Sequence, residues 1–222
     1  MRLGSTRLQI APGVFPPQQD TLAVIDWCLE LLRGRSRPVV VDLCTGSGVI
    51  ALALGARHPA ARIYAVDNSG HAVRSATGNA ARLTRRTGAR IEVRRGDATD
   101  PSVLTDIAGA ADLVVANPPY LPDGSPEPPD LAGVTEAAAL FGGPDGLAVI
   151  RGIVAVASAI LRPGGWLALE HAAGQQDPVT RLLHHAGTFD SVTGHPDHAG
   201  IRRFVTARRR PDGGADTPIA SR

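Results

Sequence analysis

The sequence predicts a doubly wound α/β fold, a seven-stranded and mostly parallel sheet whose last strand runs antiparallel. Three observations carry that expectation. Short apolar runs alternate with stretches of helical periodicity, the pattern of strand–helix–strand units joined by right-handed crossovers. Several runs are continuously apolar, as in parallel strands covered on both faces. Near the C-terminus, Ser191-Val192 and Arg203-Phe204-Val205-Thr206 are separated only by the loop Gly194 to Gly200, where no helix fits. Those last two strands are therefore expected to form an antiparallel pair.

Ala11-Pro12-Gly13-Val14-Phe15-Pro16-Pro17 reads as an extended leading segment that cannot be helical at its prolines. A helix follows over Asp20 to Leu32, capped by Asp20, with Leu22, Ile25, Leu29 and Leu32 on one face. Strands are expected at Val39–Val41, Ile63–Val66, Ile91–Val93, Leu113–Val115 and Trp166–Leu169. Further helices fit Val49 to Arg57, Ser69 to Arg86, Gly146 to Leu161 and Asp177 to His185. Between Pro118 and Gly146 the chain is dense in proline and glycine, and a loop that long inside a domain is commonly functional. Residues 121–143 of it are expected to close over a substrate. The division is a leading segment and helix (1–35), a catalytic domain (36–209) and a flexible tail (210–222).

Composition narrows the class. The 222 residues are 43% hydrophobic, and 23 basic against 21 acidic side chains leave a net charge of +2. That suits one globular domain and excludes a disordered chain, a collagen-like fibre and a coiled coil. No apolar run reaches the roughly 20 residues of a membrane helix, and Met1–Ser5 lacks the apolar core of a signal peptide. Cys28 and Cys44 form no Cys-x-x-Cys pair, which fits a reducing cytoplasm. All 23 basic residues are arginine, which looks like a GC-rich coding bias. Arg208-Arg209-Arg210 could contact phosphate, but the small net charge argues against nucleic acid as a partner.

The strongest local signal is Val39-Val40-Val41-Asp42-Leu43-Cys44-Thr45-Gly46-Ser47-Gly48, a strand that enters a glycine turn and then a helix. Glycines let backbone approach a ligand, and a helix N-terminus offers unpaired N–H groups. Alone, Gly46-x-Gly48-x-x-Ala51 with Asp67 beyond it leaves NAD and S-adenosylmethionine (SAM) both open. Asp42 tips the balance. A carboxylate there would repel a pyrophosphate but can hold, directly or through water, the ammonium of a methionyl group. Asp67, followed by Asn68, ends the second strand, where a carboxylate can accept from two ribose hydroxyls. Asp97, followed by Ala98, ends the third and could meet an adenine amino group. Thr45, Gly46 and Gly48, with Asn117 after the fourth strand, complete this cofactor set.

Asn117-Pro118-Pro119-Tyr120 follows the fourth strand at the same sheet edge, where open α/β sheets bind ligands. It suits methylation of a planar NH2 group. The Asn117 side-chain carbonyl and the Pro118 backbone carbonyl can each accept one N–H, which aims the nitrogen lone pair, while Tyr120 packs on the flat acceptor. Positioning and carbonyl dipoles then carry catalysis without a strong base.

With these residues in view, the chain resembles class I SAM-dependent methyltransferases, specifically the HemK/PrmC group of protein-glutamine methyltransferases. Pro17-Gln18-Gln19-Asp20-Thr21 resembles that group's leading motif, Pro-Arg-Pro-Glu-Thr. Asp42–Gly48 and Asn117–Tyr120 match outright, as does Ala139-Leu140-Phe141-Gly142-Gly143-Pro144-Asp145-Gly146-Leu147. Leu161–Gly165, Glu170-His171 with Gln175, and Asp197-x-Ala199-Gly200-x-x-Arg203 complete the pattern. The resemblance implies a Rossmann-like fold, SAM as cofactor and the Gly-Gly-Gln loop of a peptide release factor as substrate. It also implies that Phe15, Pro17, Asp20, Thr21, Pro118 and Tyr120 bind that substrate. Several features depart from the group. Gln18 and Gln19 replace its Arg and second Pro, Glu136 is offset by one, and Ala172 replaces a Gly. Bacterial members carry an N-terminal helical docking domain, whereas about a dozen residues precede the leading motif here. Archaeal and eukaryotic relatives without that domain work with a small partner subunit, a possibility that carries over to this chain.

Competing readings keep the fold and change the role: an N-methyltransferase of adenine in nucleic acid or of a small amine, a non-catalytic SAM-binding subunit, or an NAD enzyme. His184-His185, His195 and His198 lack the spacing of a metal site, so no metal is expected. Cys44 reads as a small packed residue, and Trp27 and Trp166 as packing anchors.

Overall fold

The computed structural model describes residues 2–3, 6–128, 131 and 136–211. Two two-residue strands, β1 (Arg2–Leu3) and β2 (Thr6–Arg7), pair as a small antiparallel hairpin that no apolar run in the sequence announces. The main elements follow as α1 (Thr21–Leu32), β3 (Val39–Leu43), α2 (Val49–Arg57), β4 (Arg62–Asp67), α3 (Gly70–Thr87), β5 (Arg90–Arg95) and β6 (Ala111–Ala116). Then come α4 (Ala148–Ile160), β7 (Leu161–Glu170), α5 (Gln176–His185), β8 (Phe189–Pro196) and β9 (Arg202–Arg209). A 3-10 turn over Pro101–Ile107, capped by Asp100, fills the β5–β6 connection where the sequence offers no periodicity.

The expected sheet is present, with seven strands in the order β5-β4-β3-β6-β7-β9-β8. β3 pairs in parallel with both β4 and β6, and β9 pairs antiparallel with both β7 and β8, so β9 alone is reversed. The chain builds outward from β3 to β5, then crosses back to β6 on the other side. That reversal opens a crevice at the C-terminal ends of β3 and β6, the place where such sheets bind ligands.

Strand alternation splits the core into two layers. Val40, Ile63, Leu113 and Ala168 face α1, α2 and α3, whereas Val41, Tyr64, Val114 and Leu167 face α4 and α5. Ile150 and Ile153 of α4 are fully buried, and truncating such a side chain to alanine costs about 2–5 kcal/mol. On α1 the buried face is centred on Val24 and Cys28 rather than on Leu22 and Leu29, which stay partly exposed. The helix meets α2 as well as the sheet, so a wider stripe is covered than one ridge of leucines. Trp27 meets Trp166 edge-on at 5.6 Å, joining α1 to β7.

Two boundaries differ from expectation. β7 starts at Leu161 because Arg162-Pro163-Gly164-Gly165 continues extended beside β6 through a register shift between Ala111 and Leu113. β8 runs on to Pro196, which leaves 197–201 as the hairpin loop, closed by the Asp197 carboxylate accepting from Ala199 N (2.8 Å) and Ile201 N (3.0 Å). Arg209 belongs to β9 and donates to the Leu161 carbonyl, and Arg210 N bonds Thr188 O at 2.9 Å. Residues 212–222 lie outside the described residues. Among the described residues no helix is long and apolar enough to cross a membrane.

Candidate active site

One cavity of about 530 Å³ lies along the sheet's C-terminal edge. Its walls gather Phe15, Pro17, Asp20 and Thr21 from the leading segment and the start of α1, and Thr45 and Gly46 from the glycine turn. Asp67 and Asn68 after β4, Asp97 and Ala98 after β5, and Asn117 to Tyr120 after β6 complete the set read from the sequence. Of those candidates only Asp42 and Gly48 stand behind the lining.

Asp42 is fully buried. Its Oδ2 accepts from the Thr45 hydroxyl at 2.6 Å and from Ala51 N at 3.0 Å. Gly48, the N-cap of α2, has φ +88° and offers no side-chain cap, so the Asp42 carboxylate near the end of β3 supplies one from outside the helix. Asp42 Oδ1 is buried without a hydrogen-bond partner. Burial, opposed by the two hydrogen bonds, pushes this carboxyl up to about 7. Gly46, with φ +57°, lines the cavity, and a Cβ there would meet no protein atom within 4 Å. The space beside it is open to the cavity.

The three acids are not equivalent. Asp67 Oδ2 accepts from Gly46 N at 2.8 Å and Oδ1 from Ser69 N at 2.9 Å, and burial raises its pKa against the pull of those bonds. Asp97 is exposed and spends Oδ1 on Thr99 N (2.8 Å) and the Thr99 hydroxyl (2.7 Å). Cys44 lies on the wall with φ +58°, and burial together with Asp67, Asp42 and Asp97 drives its thiol pKa well above the ordinary value. A thiol held protonated in this way is a wall residue and not a nucleophile.

On the other side, Asn117 Nδ2 donates to the Thr21 hydroxyl at 3.3 Å. Thr21 opens α1, where Asp20 Oδ1 accepts from Thr21 N at 3.0 Å. Arg203 Nε lies 3.3 Å from Asp20 Oδ2 and 3.6 Å from Asp197 Oδ2. Tyr120 is partly buried, and desolvation, with Glu170 and Asp20 nearby, raises its phenol pKa against the pull of the Arg203 guanidinium. The Tyr120 carbonyl accepts from Gln175 Nε2 at 2.8 Å.

Sequence reasoning gave no role to the residues that bind these pieces together. Glu136 accepts from the Ser69 hydroxyl at 2.8 Å, pairs with His71 Nδ1 at 3.0 Å, and its N–H reaches Gly13 O at 2.9 Å. It thus ties the long loop to the leading segment and to α3 at the cavity rim. Leu121 N bonds Leu140 O (2.9 Å) and Gly142 N bonds Leu121 O (2.8 Å), which lays the loop's return against Asn117–Tyr120. Pro128, Leu131 and Leu140 of the loop line the cavity; 129–130 and 132–135 lie outside the described residues. Among the histidines, His195 stacks on Phe204 at 4.6 Å and bonds the Thr206 hydroxyl. No group of three or more His, Cys, Asp or Glu side chains among the described residues could hold a metal ion.

Comparison with known proteins places this geometry. The model of the family described as "Methyltransferase small domain" matches residues 7–128. The release factor glutamine methyltransferase of Mycolicibacterium smegmatis is 44% identical over 206 residues, 93% of this chain and 71% of that protein. A 4-amino-L-phenylalanine/4-methylamino-L-phenylalanine methyltransferase of Streptomyces pristinaespiralis is 40% identical over 182 residues, 79% of this chain and 60% of that one. The crystal structure of a release factor-specific protein-(glutamine-N5) methyltransferase from Alicyclobacillus acidocaldarius superposes with a TM-score of 0.53 at 24% identity. It covers 92% of this chain and 100% of that one, and agrees in fold. The strand order, the acids at successive strand ends and the extent of the similarity together assign this chain to the release factor glutamine methyltransferase family.

Proposed function

We propose that this protein is a SAM-dependent N-methyltransferase whose acceptor is the side-chain amide of a glutamine in a peptide release factor. The observation that carries the reading is the tether of Asn117. Its NH2 group is taken up by Thr21, which leaves its carbonyl oxygen for the cavity, in reach of a planar N–H donor.

The residues fit SAM. The glycine turn leaves an open cradle at Gly46, and the buried Asp42 Oδ1 has a free acceptor site that an ammonium group can satisfy directly or through water. Thr45 and Gly46 would hold the methionyl part, Asp67 and Asn68 the ribose, and Asp97 and Ala98 the adenine. When bound, SAM supplies an electrophilic methyl group.

The chain's own residues do the rest. Asn117 Oδ1 and the Pro118 carbonyl each accept one N–H of the acceptor amide and hold its nitrogen with the lone pair toward the cofactor side. Pro119 stiffens that turn, and Tyr120 forms the flat wall. Phe15 and Pro17 close the apolar side, while Asp20 and Thr21 fix the frame behind Asn117. No group need act as a strong base, because the nitrogen sheds its extra proton to water after the new N–C bond forms. Orientation of this kind is worth up to about 7–11 kcal/mol of barrier.

A second reading is supported by the 40% identity to a methyltransferase named for an aromatic amine. Incubation with radiolabelled SAM and purified release factor, followed by mass spectrometry, separates the two. Label on the glutamine of the Gly-Gly-Gln loop supports the first reading; label only on small amines in a cell extract overturns it. A partner subunit that aids docking would reveal itself as a protein that raises kcat/KM for the release factor without altering SAM affinity.

A further inference from the structure

Glu170 ends β7 directly behind the Asn117–Tyr120 turn, and only 1% of it is exposed. It does not line the cavity, so it cannot touch an acceptor there. Glu170 follows Leu169, the partner of Ala116 in the β6–β7 ladder, which sets it beside Asn117, and the Thr21 hydroxyl and the Asn117 amide are the polar groups that act on its carboxyl. Asp20 and Arg203 are the charged groups that act on it, and its Oε2 is buried without a partner. A buried carboxyl group is costly unless its hydrogen bonds serve a purpose. The fold accepts that cost here, behind the residue that must present a carbonyl oxygen.

An asparagine amide is nearly symmetric in shape, and only its neighbours decide which end faces which way. The Asn117 NH2 donates to Thr21 Oγ1, and the Glu170 carboxyl beside it offers further acceptor oxygens. They select the NH2 end. A flipped side chain would turn its oxygen toward two oxygens and its NH2 toward the NH2 of the acceptor.

We propose that Glu170 is a positioning residue that, together with Thr21, accepts the two amide protons of Asn117 and so turns the Asn117 carbonyl oxygen toward the acceptor amide. The inference rests on the reading of Asn117 given above. Burial also holds Glu170 up to about 8. In its neutral form it keeps one carbonyl oxygen as an acceptor, which the role requires.

The test compares Glu170→Met, which keeps bulk but removes the acceptor, with Glu170→Gln, which keeps one carbonyl oxygen. The Asn117 side-chain amide resonance, identified by its loss in Asn117→Ala, is followed by nitrogen-15 NMR without substrate. SAM affinity is measured by calorimetry and turnover on a release factor. Glu170→Met is expected to shift that resonance and lower kcat by about 10- to 100-fold, with KM for SAM within about twofold. Glu170→Gln recovers part of kcat. Thr21→Val shifts the same resonance, and its effect is smaller in the Glu170→Met background than in wild type. An unmoved Asn117 resonance in a folded Glu170→Met protein overturns the proposal, as does an equal loss in both Glu170 variants accompanied by loss of SAM affinity. If Glu170→Met does not fold, Glu170→Gln and Thr21→Val decide by the resonance. If wild type methylates no release factor, the substrate reading fails, while the resonance still decides the role of Glu170.

Discussion

Asp67 and Gly46 are joined by a 2.8 Å hydrogen bond from the glycine N–H to Oδ2. The acid that ends β4 therefore fixes the turn that follows β3. It also keeps capacity for ligand hydroxyls, because each oxygen receives one backbone N–H and has a second lone pair. Asp67→Ala removes both functions. SAM affinity by calorimetry is expected to fall about 10- to 100-fold, the worth of one to two hydrogen bonds to a charged group. Unchanged affinity would reject the ribose assignment.

Asn117→Ala separates binding from turnover. The side chain sits on the acceptor side of the cavity, away from the strand-end acids, so SAM affinity should stay within about twofold. Loss of a preorganised dipole costs about 100- to 1,000-fold in kcat. A variant with full kcat on the release factor would remove Asn117 from the chemistry.

The pH dependence of folding follows from two buried acids. Burial raises Asp42 to about 7 and Glu170 to about 8 in the folded protein, far above unfolded values near 4. Between those limits the folded state binds more protons than the unfolded one, so stability falls as pH rises. The contribution is fully present below about pH 4 and is lost as pH passes through 7 to 8. Asp100, Asp106, Asp145 and Asp197 shift downward and oppose this at acid pH, below the pH range in question, and the first three are solvent-exposed and screened. Urea denaturation should give a lower midpoint at pH 8.5 than at pH 5.5, with a smaller difference in Glu170→Gln. A midpoint that rises across this range would contradict the assignment.

What the sequence made legible was local. Apolar runs mark the strands and the antiparallel last pair, and polar residues at or just after strand ends mark Asp67, Asp97 and Asn117. The support behind them was hidden, because it is assembled from distant segments. Thr21, Asn117, Glu170 and Arg203 belong to α1, the β6 loop, β7 and β9, and no spacing links them. Asp42 reads as a ligand residue from its place before the glycine turn; that its Oδ2 also caps α2 depends on how the turn folds back, which no spacing shows. The hairpin of β1 and β2 is too short for any period to appear.

The Gly142-Gly143-Pro144-Asp145-Gly146 stretch now has a physical reason. A Cβ on Gly142 would lie 2.5 Å from the Pro119 carbonyl oxygen, and one on Gly146 would overlap the carbonyl oxygen of Tyr120. Gly146 also has φ +71°, a conformation that costs an L residue about 1–2 kcal/mol before any clash. Gly146→Ala must therefore move the Asn117–Tyr120 turn or the loop that packs on it. It is expected to lower stability by more than that strain alone and to reduce kcat, since the carbonyls that receive the acceptor sit on that turn. Gly78→Ala, in the middle of α3 with only the Arg82 guanidinium at 3.8 Å, provides the control. It should stabilise the protein by about 0.5–1 kcal/mol and leave kcat unchanged. Thermal melts and turnover of both variants test the account. A Gly146→Ala protein as stable and active as wild type would mean that the loop and the turn are not in contact in solution.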